Sequence, residues 1–222
     1  MKGLVFSFNK SKPRRSVNRL SFSDLRYYFK RYGVTTFFVI LLFIGLAFGA
    51  IYAGDASEEF LNSLDFLFTT NLDARLLQNF AGTFCTCFAS NFIFLISFYL
   101  LGLTPWGIAF MPFLILLKGF GTGLTAGYLF IENSLSGVGF YLLILLPGTF
   151  LFCMSLVLFS SSAFYFSKRM FFYIISKEVP KSSLKNGVIT FSSRFMSTLI
   201  MTFLASVVDT ALWTLFAGGF KL

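Results

Sequence analysis

Residues 106–130 read WGIAFMPFLILLKGFGTGLTAGYLF, and the reading of this stretch decides the fold. Twenty-five residues make a helix of about 37 Å, enough to cross about 30 Å of hydrocarbon. Its single charge, Lys118, falls near the centre of that span, where a lysine costs about 2.5–3.5 kcal/mol on insertion scales. Gly119, Gly123 and Gly127 follow at four-residue steps, so they line one face and let another backbone come close. A costly charge beside a smooth face describes a helix surrounded by other helices in a membrane.

The rest of the chain agrees with a membrane environment. Of 222 residues, 56% are hydrophobic and only 12% charged, with mean hydropathy +0.79; soluble domains carry roughly twice that charge. There is no histidine, which removes the commonest general base and metal ligand. Cys85, Cys87 and Cys153 all lie in apolar runs and read as small buried hydrophobes, not as disulfide or metal ligands.

Working outward, the spans follow from length and punctuation. Residues 1–32 form a basic arm, with nine Lys or Arg against Asp24 alone. Its place directly before a span makes its charge topological rather than a nucleic-acid footprint. Residues 33–53 are uncharged and read as an uncleaved first helix, with Gly45, Gly49 and Ala53 as a packing face. Residues 54–79 are acidic: Asp55, Glu58, Glu59, Asp65 and Asp73 oppose only Arg75. Two readings of this segment are open, an amphipathic helix on the outer membrane surface and a solvated loop with some buried aromatics.

The apolar run from Phe80 to Ile131 breaks at Gly102-Leu103-Thr104-Pro105, giving spans at about 80–101 and 105–130. Pro112 is expected to kink the latter, and a broken or re-entrant segment is the alternative. A fourth span covers about 137–164, with an expected kink at Pro147. The basic segment 165–194 contains an apolar stretch, Met170–Ser176, which suggests an interfacial helix against anionic headgroups. The fifth span covers about 195–217. Residues 33–217 are thus one all-α integral membrane domain of about five transmembrane helices. With the N-terminus cytoplasmic and the C-terminus extracytoplasmic, both basic regions fall inside and the acidic one outside; four spans would misplace one basic region.

Two ionisable residues sit well inside these spans, Lys118 and Asp209. At an offset of about 5 Å in depth they are expected to form a buried ion pair between the third and fifth helices; a proton or ion relay is the alternative. The glycine run 119–127 fits neither the dinucleotide fingerprint nor the P-loop. No Ser-His-Asp set, no carboxylate pair in one compartment and no metal-ligand cluster can be assembled, and no serine accompanies Lys118 convincingly. We therefore expect no catalytic residues, no cofactor and no metal: not an enzyme.

The stretch 98–130, FYLLGLTPWGIAFMPFLILLKGFGTGLTAGYLF, resembles the signature of the stage II sporulation protein M family, in which a leucine-glycine turn precedes a span carrying a Lys/Arg-Gly pair. Asn91 matches an asparagine commonly found before that turn. Residues 206–213, SVVDTALW, are similar to the family's acidic residue near the end of its final helix. One departure is the fourth-span sequence Leu146-Pro147-Gly148-Thr149, which keeps the family's proline without the His or Gln that often follows it.

The resemblance implies a multi-pass protein of the cell membrane that anchors peptidoglycan hydrolases on its extracytoplasmic side during engulfment of the forespore. A homo-oligomer is compatible with its packing faces. The competing reading is the membrane subunit of a transporter working with a separate cytoplasmic ATPase that docks on residues 165–194. A third, an enzyme acting on lipid, lacks a catalytic constellation.

Overall fold

The computed structural model describes residues 22–56, 64, 67, 68, 75, 78–176 and 181–216, with backbone only for 22–31, 132–135, 176 and 181–184. Five helices in it are long and apolar enough to cross a membrane: Tyr32–Tyr52, Phe80–Leu103, Gly107–Ile131, Ser136–Ile175 and Lys185–Phe216. The chain divides into Met1–Gly33 and Val34–Leu222; the second unit holds the bundle described below.

Helix α1 runs Phe22–Tyr52. It begins eleven residues before the expected Gly33, so the end of the basic arm is helical. Arg26, Lys30 and Arg31 are good helix formers and give the helix no reason to stop where the lipid does. Helix α2, Phe80–Leu103, ends where Pro105 forbids continuation. The Thr104 N–H bonds back to the Leu101 carbonyl at 3.1 Å. A side chain at Gly107 would overlap the Leu101 carbonyl oxygen, so this reversal takes a glycine. From the far end of the next hairpin, Ser167 Oγ donates to the Thr104 carbonyl at 2.6 Å and closes the turn.

Helix α3 covers Gly107–Phe140, a π-turn covers Tyr141–Leu145 and α4 covers Leu146–Ser176. The helix passes through Pro112 without interruption, which makes the third span continuous, not re-entrant. Lys118 and Phe152 would stand about 51 Å apart on one straight helix. Lys118 Nζ instead lies 4.9 Å from the Phe152 ring. The chain therefore reverses between spans three and four while its backbone stays helical. Just beyond, Pro147 lacks the N–H that would bond the Leu143 carbonyl, and the π-turn ends at this disrupted ladder.

Helix α4 continues to Ser176 and α5 spans Lys181–Phe216. Met170–Ser176 is thus the last part of α4, not a separate interfacial helix, and most of residues 165–194 extends two transmembrane helices. A lipid-to-water boundary changes side-chain polarity without breaking backbone hydrogen bonds, so the charged residues there do not mark helix ends.

Two features hold the bundle together. The first is a glycine seam between α1 and α3. A Cβ at Gly45 or Gly49 would overlap the carbonyl oxygens of Leu116 or Phe120; one at Gly119 or Gly123 would overlap those of Leu42 or Leu46. Gly127 faces Ala50 and Ala53 in the same way. Backbones this close gain dispersion contacts that bulkier residues would prevent.

The second is an aromatic stack joining α2, α4 and α5. Phe191 lies 4.8 Å from Phe166, 5.3 Å from Tyr99 and 5.4 Å from Phe159, all near parallel, and Gly102 leaves room for its ring. Three buried hydroxyls are satisfied within their own helices: Thr125, Thr202 and Thr210 donate to the carbonyls of Gly121, Thr198 and Ser206. Outward-facing Phe48, Phe113, Leu158 and Ile200 remain more than half exposed, as a lipid-facing surface requires.

Candidate functional site

Inside the bundle, a polar cavity of about 50 Å³ is enclosed by residues of α2, α3, the π-turn, α4, α5 and the segment before α2. Lys118 enters it from α3, Asp209 from α5, Asn91 from α2 and Arg75 from the acidic segment. Its volume suits a few water molecules, and its walls offer them polar partners.

The expected Lys118–Asp209 pair is not what the cavity contains. Asp209 Oδ2 is bound by Arg75 Nη2 at 2.8 Å, and Lys118 Nζ donates to Asn91 Oδ1 at 3.1 Å. Arg75, which the expected pairing left out, occupies the carboxylate, and Asn91 takes up the lysine. Both residues face one cavity without touching.

Each charge is accommodated differently. Arg75 is only 4% exposed; its guanidinium lies 4.3 Å from the centre of the Trp213 ring, one turn beyond Asp209 on α5. Trp213 in turn meets Phe140 edge-on at 5.5 Å. Gly148, three residues after the π-turn, is pressed against Asp209, where a Cβ would come 2.6 Å from the Asp209 Cβ. The glycine in Leu146-Pro147-Gly148-Thr149 is therefore what lets α4 approach the carboxylate. Lys118, 7% exposed, lies 4.9 Å from the centres of both the Phe94 and Phe152 rings, so two aromatic faces supplement its one hydrogen bond.

Arg75 is the residue that sequence reasoning missed. It lies in a polar, acidic stretch read as a surface helix or a solvated loop with some buried aromatics, yet Arg75 itself is buried, and Leu64, Leu67 and Phe68 of the same stretch join the core. Leu64 and Leu67 pack on it; Phe68 is buried, 6.0 Å from Phe94 in a stacked pair. Gly121 makes the space for the Phe68 ring, and Ser90 Oγ donates to the Leu67 carbonyl. The one signal in the sequence was Arg75 itself, a lone cation among five acids. The acidic residues Glu58, Glu59, Asp65 and Asp73 lie outside the described residues, as does the amphipathic helix proposed through them.

Chemically, the cluster fixes charges in a low-dielectric interior. Arg75–Asp209 is the one ion pair among the described residues. Arg75 Nε and Asp209 Oδ1 have no protein partner there, and the Lys118 charge has no carboxylate in ion-pair contact. Of the family-pattern residues, Asn91 and Lys118 are brought into direct contact, and Asp209 reaches the same cavity. Gly45, Gly49, Gly119, Gly123 and Gly127 lie in the α1–α3 seam, away from the Arg75–Asp209 pair.

Comparison with known proteins gives one match. The family model described as SpoIIM: Stage II sporulation protein M matches residues 37–214, which contain all five spans except their outermost turns and every residue of the polar cluster. No curated protein and no solved structure gives a significant match.

Proposed function

We propose, because this chain belongs to the stage II sporulation protein M family, that it is a membrane scaffold holding peptidoglycan hydrolases at the membrane during forespore engulfment. The coarser statement stands by itself: this is a multi-pass membrane protein of a sporulation family. The observation that carries the finer reading is the anchoring of the segment between the first two spans. Phe68 is seated under Gly121 and Arg75 is tied to Asp209, so the acidic stretch between α1 and α2 is attached to the bundle at defined points. Such a stretch gives a partner a pre-organised docking element at low entropic cost.

The positive-inside rule places the basic regions in the cytoplasm and the acidic segment outside, on the side where cell-wall enzymes act. The role asks for no catalytic group, cofactor or metal of the chain's own. Tagged protein purified from a sporulating host should bring down wall hydrolases, and Arg75→Met should reduce that recovery. Normal engulfment in a deletion strain, followed by membrane staining, would overturn the scaffold.

A second reading, the membrane subunit of a transporter with a separate ATPase, draws on the polar cavity and on the Lys118 charge, which meets no carboxylate among the described residues. Recovery of a cytoplasmic ATPase that depends on residues 165–194, in place of hydrolases, would favour it.

A further inference from the structure

A second polar cavity, of about 600 Å³, opens between α4 and α5 at the end of the bundle where the two helices are joined. Two helical faces converge on it. Ser162, Phe166 and Arg169 follow one stripe of α4, and Asn186, Thr190 and Arg194 follow one stripe of α5, each at three- or four-residue steps. The floor is aromatic, made by the buried, parallel rings of Phe166 and Phe191.

The walls are cationic. Arg194 Nη1 donates to Ser162 Oγ across the gap at 2.7 Å, leaving its other N–H donors to face the cavity. Arg169 lies over Gly187, where a Cβ would come 3.1 Å from its Nη1; the missing side chain is what lets the guanidinium lie across α5. No carboxylate among the described residues pairs with either arginine.

We propose that this cleft binds the phosphate of an anionic phospholipid headgroup, held between Arg169 and Arg194 with the Asn186 side-chain amide as a neutral donor. Two guanidiniums on opposite walls can each bind a phosphate through paired N–H bonds, a geometry that lysines do not provide. A lipid is the source because the cleft lies where the helices leave the lipid-facing surface. Leu158, one turn before Ser162 on α4, and Ile189 beside the cleft on α5 are both about 60% exposed, and acyl chains can lie along them. Basic pockets between transmembrane helices on the cytoplasmic side are suited to anionic headgroups.

The test uses the full-length chain in nanodiscs of mixed phosphatidylglycerol and phosphatidylcholine, released for native mass spectrometry. Retained lipid should be mainly phosphatidylglycerol. Arg169→Gln and Arg194→Gln should each weaken that retention about tenfold, the loss of about one charge-assisted contact. Lys168→Gln removes the same charge from a residue outside the cleft and should change it little. Unchanged thermal melting of each variant in detergent distinguishes a lost site from a lost fold. Equal retention of the two lipids, or equal effects of Lys168→Gln and the arginine variants, would overturn the proposal. So would saturable binding of inorganic phosphate to detergent-purified protein that removal of lipid leaves intact, because that would identify a soluble ligand.

Discussion

Arg75 and Asp209, 134 residues apart in sequence, meet at 2.8 Å inside the bundle. The contact fastens the segment between the first two spans to the last helix, and Trp213 covers the guanidinium from the next turn. A buried pair of this kind is costly to break, because removing one partner leaves the other charge without compensation.

Breaking it from one side should therefore be worse than removing both halves. Asp209→Asn is expected to destabilise the protein by about 3–5 kcal/mol, and Arg75→Met with Asp209→Leu to recover most of that. Thermal unfolding in detergent, with protein yield in the membrane fraction, measures both. A double variant less stable than Asp209→Asn would show that the pair is not what matters.

Lys118, which shares a cavity with Asp209 without an ion-pair contact, should couple to it more weakly than Arg75 does. In double-mutant cycles, Arg75→Met with Asp209→Asn should show a coupling above about 1 kcal/mol, and Lys118→Met with Asp209→Asn a clearly smaller one. Asn91→Leu should couple to Lys118→Met, since it removes the lysine's hydrogen-bond acceptor. Equal coupling of Asp209 to both cations would restore the ion pair expected from spacing.

The glycine seam gives a steric prediction. Gly49→Val and Gly123→Val push a side chain into a facing carbonyl and should cost at least about 1–3 kcal/mol, the range for overpacking, or abolish assembly. Gly139→Ala meets nothing within 4 Å and should be neutral or slightly stabilising. A cysteine pair across α1 and α3, crosslinked in membranes, reports the loss directly.

Orientation can be read chemically. In a background with Cys85, Cys87 and Cys153 all replaced by alanine, Ser57→Cys should react with a membrane-impermeant maleimide in intact cells, and Ser182→Cys only after lysis. The reverse pattern would invert the topology drawn from the basic regions.

Bilayer thickness made the five spans legible. A segment that must bury about 30 Å of backbone hydrogen bonding in hydrocarbon declares itself by length and by the absence of charge. The same constraint picked out Lys118 and Asp209, since charges at that depth stand out. Helix ends were less legible, as α1, α4 and α5 show, because helical hydrogen bonding continues past the lipid boundary that the charges record. Arg75 was misjudged because its acidic surroundings describe a solvated segment, while the side chain itself is buried beside Asp209.

From the sequence alone came the membrane class, the number of helices, the small-residue faces and the identity of two buried charges, all properties of local length, periodicity and composition. Only the tertiary structure decided which charge meets which. Asp209 pairs with Arg75 and Lys118 with Asn91 because contact depends on the path of a segment that folds back into the bundle. That path is not written in the spacing of residues along the chain.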